Sequence, residues 1–141
     1  MSGITMEIEG IAEFKKALES ARGDMMEAVR TEVIRATTRV HERSIDRIQR
    51  GTKTGQTYEK YVPRRTHQAS APGQAPASDT GRLASSIEWR TDGMDGIVFT
   101  RVEYGKHLEF GTKNMDARPW LLPSVEEAAP RFREGLMRIL K

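Results

Sequence analysis

The stretch "IEWRTDGMDGIVFTRV", Ile87–Val102, reads as two short strands around a glycine-containing turn, a β-hairpin. Upstream lies the longest periodic segment of the chain, Met25–Arg50. There Met26, Val29, Val33, Thr37, Val40, Ser44 and Ile48 fall on one stripe, which predicts a helix of about seven turns, with Asp24 able to cap it. Thr37 and Ser44 interrupt the stripe, so the helix should pack on a sheet or a neighbouring subunit rather than form a strict coiled-coil seam. A hairpin beside such a helix is the core of an α+β fold.

The flanks extend this layout. "ITMEIEG" (Ile4–Gly10) alternates as a short strand, and Ile11, Phe14, Ala17 and Leu18 follow at helical spacing. Just before the hairpin, Asp79 or Thr80 can cap a short helix carrying Leu83 and Ile87. At the far end, Ser124 begins a helix with Pro130 inside its pattern and Phe132, Leu136, Ile139 and Leu140 on its apolar side. The expectation is one α+β domain over residues 1–141. A small antiparallel sheet is packed by one long and two or three shorter helices. Residues 51–78 differ in kind, with three glycines, three prolines, and Lys53, Lys60, Arg64 and Arg65 against a single acid, Glu59. They are expected to form a long, basic, extended or mobile loop, and loops of that length are functional or disordered.

Composition narrows the function classes. A chain of 141 residues can bury roughly 68–70% of its unfolded surface. With its 12 glycines added to the hydrophobic 37%, the apolar share reaches roughly 45%, ordinary for a globular protein. The net charge is only +3, which does not announce a nucleic-acid binder. Cysteine is absent, which removes disulfides, thiolate nucleophiles and zinc–thiolate sites. No apolar run approaches the ~20 residues of a membrane span, and the first residues lack a signal-peptide pattern, so a cytoplasmic site of synthesis is expected.

Catalytic signatures are equally sparse. His107 and Glu109 flank Leu108 and would share one face of a strand, but His41 and His67 add no metal-ligand spacing, so no metal or other cofactor is expected. There is no GxSxG elbow and no phosphate-cradling glycine motif, and nothing selects a carboxylate pair among the 20 acids. No catalytic residue is assigned, and an enzyme is not expected. Arg35, Arg39, Arg43 and Arg47 recur every four residues as a ridge on the long helix. Glu32, Glu42 and Asp46 interleave with them, so the ridge is either a salt-bridged face or, with Lys53, Lys60, Arg64 and Arg65, a contact for phosphates in a non-specific DNA-binding module.

Two stretches together carry a resemblance. "HQASAPGQAPASDTGRLASSI" (67–87) followed by "YGKHLEFGTKNMDARPWLLPSV" (104–125) resembles the small minor-tail, or neck, proteins of long-tailed bacteriophages, the tail component of lambdoid phages and prophages. "MEIEGIAEFKKAL" has the look of that family's N-terminus. The resemblance implies a structural virion protein, assembled in the bacterial host cytoplasm. It would form a homo-oligomeric ring around the DNA channel at the head–tail junction or upper tail end, among other neck and tail proteins, and act in tail completion and head–tail joining. Loop 51–78 would then line the channel or reach a neighbouring ring.

In that light the second stretch is architecture. Tyr104 and Leu108 are expected to anchor a short segment on the core, with Phe110 as a further anchor. Gly111 permits a turn that Thr112 can hold by a local hydrogen bond. Arg118 is driven extended by Pro119, and Trp120, Leu121 and Leu122 supply apolar area. Glu109 and Arg118 are candidates for a buried or intersubunit ion pair that fixes the bend.

Overall fold

The computed structural model describes residues 3–8, 15, 23–61 and 64–141. The expected helix through Ile11, Phe14, Ala17 and Leu18 lies outside them. Helix α1, Gly23–Arg50, runs 28 residues, about 42 Å at 1.5 Å per residue. It buries Val29, Val33, Ala36, Thr37, Val40, Ser44 and Ile48, the predicted stripe except that Ala36 joins it and Met26 stays half-buried. The Thr37 hydroxyl donates to the Val33 carbonyl at 2.7 Å, which is how a polar group is tolerated there.

The sheet follows from the opening hairpin. Strands β4 (Glu88–Asp92) and β5 (Asp95–Thr100) pair antiparallel, and β1 (Ile4–Ile8) adds to the other edge of β5, giving the order β1-β5-β4. Gly96, Ile97, Val98 and Thr100 of β5 are buried, with Val98 in the cluster that holds Val40 of α1. Gly96 sits where α1 crosses the sheet, and a Cβ there would run into the Thr37 side chain. Gly96→Ala is therefore expected to cost about 1–3 kcal/mol through overpacking, read as a lower urea midpoint at unchanged slope. Adding Thr37→Ala removes the obstructing hydroxyl and should recover part of the loss.

Helix α2 (Arg82–Ser86) precedes β4 and α3 (Glu103–Phe110) follows β5, while α4 (Leu122–Ile139) lies along α1 and buries Ser124, Ala128, Phe132 and Gly135. Neither Asp79 nor Thr80 is the N-cap of α2; Gly81 is, at φ 77°, and the Thr80 hydroxyl accepts from the Arg82 amide at 3.4 Å. One core cluster gathers Ile4, Val40, Ile48, Leu83, Ile87, Val98, Trp120 and Leu121. A second joins Val29, Val33, Ala36, Met94 and Phe132 at the other end of α1. The α+β architecture, one long helix against a small antiparallel sheet, is thus as expected. Among the described residues no helix is long and apolar enough to cross a membrane.

Segment 51–78 departs from the expected loop. It contains an antiparallel ribbon, β2 (Thr57–Tyr61) with β3 (Arg64–Gln68), in the register Tyr58↔His67, Lys60↔Arg65, Tyr61↔Arg64. The ribbon's foot is tied by Gly55 N–H to the Ala69 carbonyl and Ala69 N–H to the Gln56 carbonyl, both 2.9 Å. The Gln74 side-chain oxygen accepts the amides of Thr54 and Ala71. Backbone pairing, not apolar burial, gives this segment its order.

Candidate functional site

Helix α3 decides how the second motif stretch is built. Its one buried line is Gly105 and Glu109, four residues apart and so on one face. Gly105 lets the helix approach Thr100, Leu83 and the Trp120 ring, and the Trp120 indole N–H donates to the Gly105 carbonyl at 3.1 Å. Gly111 ends the helix at φ 76°, where a side chain would be strained and would press on Ala117 and Met115. Thr112 and Met115 then exchange backbone hydrogen bonds of 2.8 and 3.3 Å, and Arg118 N–H returns to the Leu108 carbonyl at 2.6 Å.

The chain next meets Glu109. Its carboxylate, 4% exposed, accepts three backbone N–H groups: Trp120 at 2.8 Å and Leu121 at 2.9 Å on Oε2, and Leu122 at 2.8 Å on Oε1. The Leu121 and Leu122 amides are open donors at the start of α4, which has no side-chain cap from its own N-cap residue, Leu121, and the Trp120 amide comes just before it. Glu109 therefore caps a helix eleven to thirteen residues downstream, with its negative charge at the positive end of the helix dipole.

Within the chain no Glu109–Arg118 ion pair is formed. The Arg118 guanidinium donates instead to the carbonyls of Ser70 (3.3 Å) and Asp116 (3.5 Å). Nor do Tyr104 and Phe110 anchor the core: Phe110 is 67% exposed, and Tyr104 lies on the surface under the Arg82 guanidinium, 6.0 Å from the ring centroid. Leu108 packs partly on the core, and Trp120 and Leu121 are fully buried, while Leu122 is exposed. His107 and Glu109 lie on a helix, not a strand, the former exposed and the latter buried. The two motif stretches are stitched together, Gly73 N–H to the Ala117 carbonyl at 2.9 Å and Arg118 to Ser70.

The arginine ridge divides. Arg43 and Arg47 both reach Glu127 on α4, at 2.9 and 2.6 Å, and Arg47 also donates to the Ser124 hydroxyl at 3.1 Å. Desolvation pushes the Glu127 carboxyl up, but the Arg43 hydrogen bond and the charges of Arg43 and Arg47 outweigh it and hold the group below its ordinary range. Arg35 pairs with Glu32 at 2.6 Å and Arg50 with Asp46 at 3.4 Å, while Arg39 is half-buried in the groove beside Glu42, Arg43, Glu127 and Arg131. Three of the four ridge arginines, Arg35, Arg43 and Arg47, thus take part in salt bridges.

Lys53 is engaged within the chain. Its ammonium donates to the Arg47 carbonyl at 2.9 Å and the Ala75 carbonyl at 2.7 Å, closing the C-terminus of α1, and burial lowers its pKa. Lys60 and Arg65 instead converge on Asp79, at 3.2 and 2.5 Å, with His67 Nδ1 at 3.9 Å, and Arg64 is exposed. The sequence offers Asp79 only as a helix cap and His67 only as a histidine without metal-ligand spacing; the fold brings the two together at the ribbon. His41 Nε2–H donates to the Ile87 carbonyl at 2.9 Å, a structural contact. Among the described residues no three metal-ligating side chains gather. The chain matches no protein-family model, no curated protein and no solved structure.

Proposed function

We propose that this chain is a structural protomer of a tailed phage or prophage virion, not an enzyme. In this reading it forms a homo-oligomeric ring at the head–tail junction or upper tail end and acts with neighbouring neck and tail proteins in tail completion and head–tail joining. The observation that carries the reading is the rigid bend: Glu109 and Trp120 lock α3 to α4, and the same bend holds Phe110 outward at 67% exposure. Leu122, whose amide is tied to Glu109, is exposed as well. Apolar side chains held outward on a fixed platform are what an interface needs. The resemblance of the two motif stretches to phage neck proteins supplies the assembly, and their stitching at Ala117 and Ser70 makes them one module.

The test is mass in solution across a concentration series, with negative-stain images of the largest species, alone and with purified tails. Rings with a central hole are expected, and Phe110→Asp should abolish them while leaving the melting temperature within about 2 °C, as surface substitutions do. A protein that stays monomeric at every concentration and on tails overturns the reading. A second reading, non-specific phosphate contact, is favoured by one observation only. The ribbon keeps Lys60, Arg64 and Arg65 outside the α1–α4 salt-bridge network that takes up Arg43 and Arg47.

A further inference from the structure

We propose that Lys60, Arg65 and His67 on the inner face of the β2–β3 ribbon form a phosphate clamp for a DNA backbone, which Asp79 occupies as an internal carboxylate in the free chain. The inference rests on the second reading above and adds to it a site and a means of regulation.

The register carries the argument. Lys60 and Arg65 are direct cross-strand partners, and like charges placed opposite one another destabilise a two-stranded ribbon. An anion between them reverses that sign. Asp79 is that anion: Oδ2 lies 3.2 Å from Lys60 Nζ, and Oδ1 lies 2.5 Å from Arg65 and 3.9 Å from His67 Nδ1. Strand alternation puts His67 on the same face as Arg65, so Lys60 and Arg65 hold the carboxylate and the His67 ring lies beside it. The Lys60 hydrogen bond, aided by the charges of Lys60 and Arg65 and opposed by desolvation, holds the Asp79 carboxyl below its ordinary range. A phosphodiester presents the same charge, with paired oxygens that suit an arginine fork and a lysine point charge. Tyr58, opposite His67, and Arg64 at the start of β3 flank the clamp and are exposed. Asp79 sits on the segment before α2 and is itself exposed, so it can yield its place to an external anion without disturbing the core.

The experiment is anisotropy of a labelled DNA duplex titrated with the full chain between about 50 and 200 mM salt, where phosphate contacts are most visible. Three proteins are compared: the natural chain, Asp79→Asn, and Asp79→Asn combined with Lys60→Ala and Arg65→Ala. Asp79→Asn is expected to bind about tenfold more tightly, since exposed ion pairs of this kind compete only modestly. It should also steepen the slope of log affinity against log salt by roughly 1.8, two further phosphate contacts at about 0.9 each. The triple variant should lose both gains. Duplex binding that Asp79→Asn leaves unchanged overturns the clamp and places any phosphate contact elsewhere. Inorganic phosphate bound by Asp79→Asn, with no gain on duplex, overturns DNA as the source of the anion. No duplex binding by any of the three at the lowest salt overturns the second reading itself.

Discussion

Glu109→Ala is expected to destabilise the protein by about 3–5 kcal/mol, because it strands three buried or half-buried amide donors at once. An ordinary N-cap replacement costs about 1 kcal/mol, since one donor is lost and water replaces it. Here the carboxylate is almost fully enclosed, and two of its three donors, the amides of Trp120 and Leu121, belong to residues with no exposed surface. Removal of the charge also gives up its favourable placement at the start of α4. For a domain of this size the melting temperature should fall by about 10–20 °C. Glu109→Gln separates the two contributions. Its carbonyl oxygen can still serve two amides, but its NH2 group then faces the third, and a loss of about 2 kcal/mol is expected. The check is urea denaturation of both variants followed by far-UV circular dichroism. If both lie within 1 kcal/mol of the natural chain, Glu109 does not hold the bend.

The sequence marks Glu109 as important but gives it the wrong partner, for a physical reason. Side chains have letters and backbone amides do not, so a search for a countercharge finds Arg118. The real partners are three consecutive backbone N–H groups leading into the start of α4, eleven to thirteen residues on. Tyr104 and Phe110 are misplaced for a related reason. Apolar letters suggest anchors, yet the helical phase of α3 turns Gly105 and Glu109 inward and leaves both aromatics outside. A stripe made of a glycine and a glutamate does not look like a core stripe until Trp120 is seen filling the space beside it.

The parts that were legible are those set by apolar periodicity. The one-sided burial of α1 follows a 3.6-residue stripe, and β5 is legible as the apolar run Ile97–Phe99 after the glycine-containing turn. The β2–β3 ribbon lacks such a signal. Its strands, TYEKY and RRTHQ, are polar on both faces, and none of their described positions is fully buried. Its order comes from main-chain pairing, the Gln74 tie and the Asp79 contact, none of which leaves a periodic trace. The arginine ridge was legible as a ridge, but not its purpose. Glu127 lies 84 residues from Arg43, and only the packing of α4 on α1 brings them to 2.9 Å.

Trp120→Ala is the other substitution with a large expected effect, about 3–5 kcal/mol, the cost of removing a large aromatic from a close-packed site. The side chain has no exposed surface and packs in the cluster that joins α1, α2 and the sheet. Trp120→Phe keeps most of the apolar volume but loses the indole bond to the Gly105 carbonyl, so a smaller loss of about 1–2 kcal/mol is expected. The informative variant is the double one. Trp120 offers its backbone amide to Glu109 and its ring to Gly105, so both residues fasten the same joint between α3 and α4. Once Glu109→Ala has loosened that joint, the ring no longer sits in a fixed pocket, and Trp120→Ala should cost less than it does alone. The double variant is therefore expected to fall short of the sum of the singles by at least about 1 kcal/mol, the size seen for residues sharing one network. A strictly additive pair in denaturant titrations would mean that the cap and the indole act on separate parts of the fold. The bend would then be two independent contacts, and the outward hold on Phe110 would have to come from α3 alone.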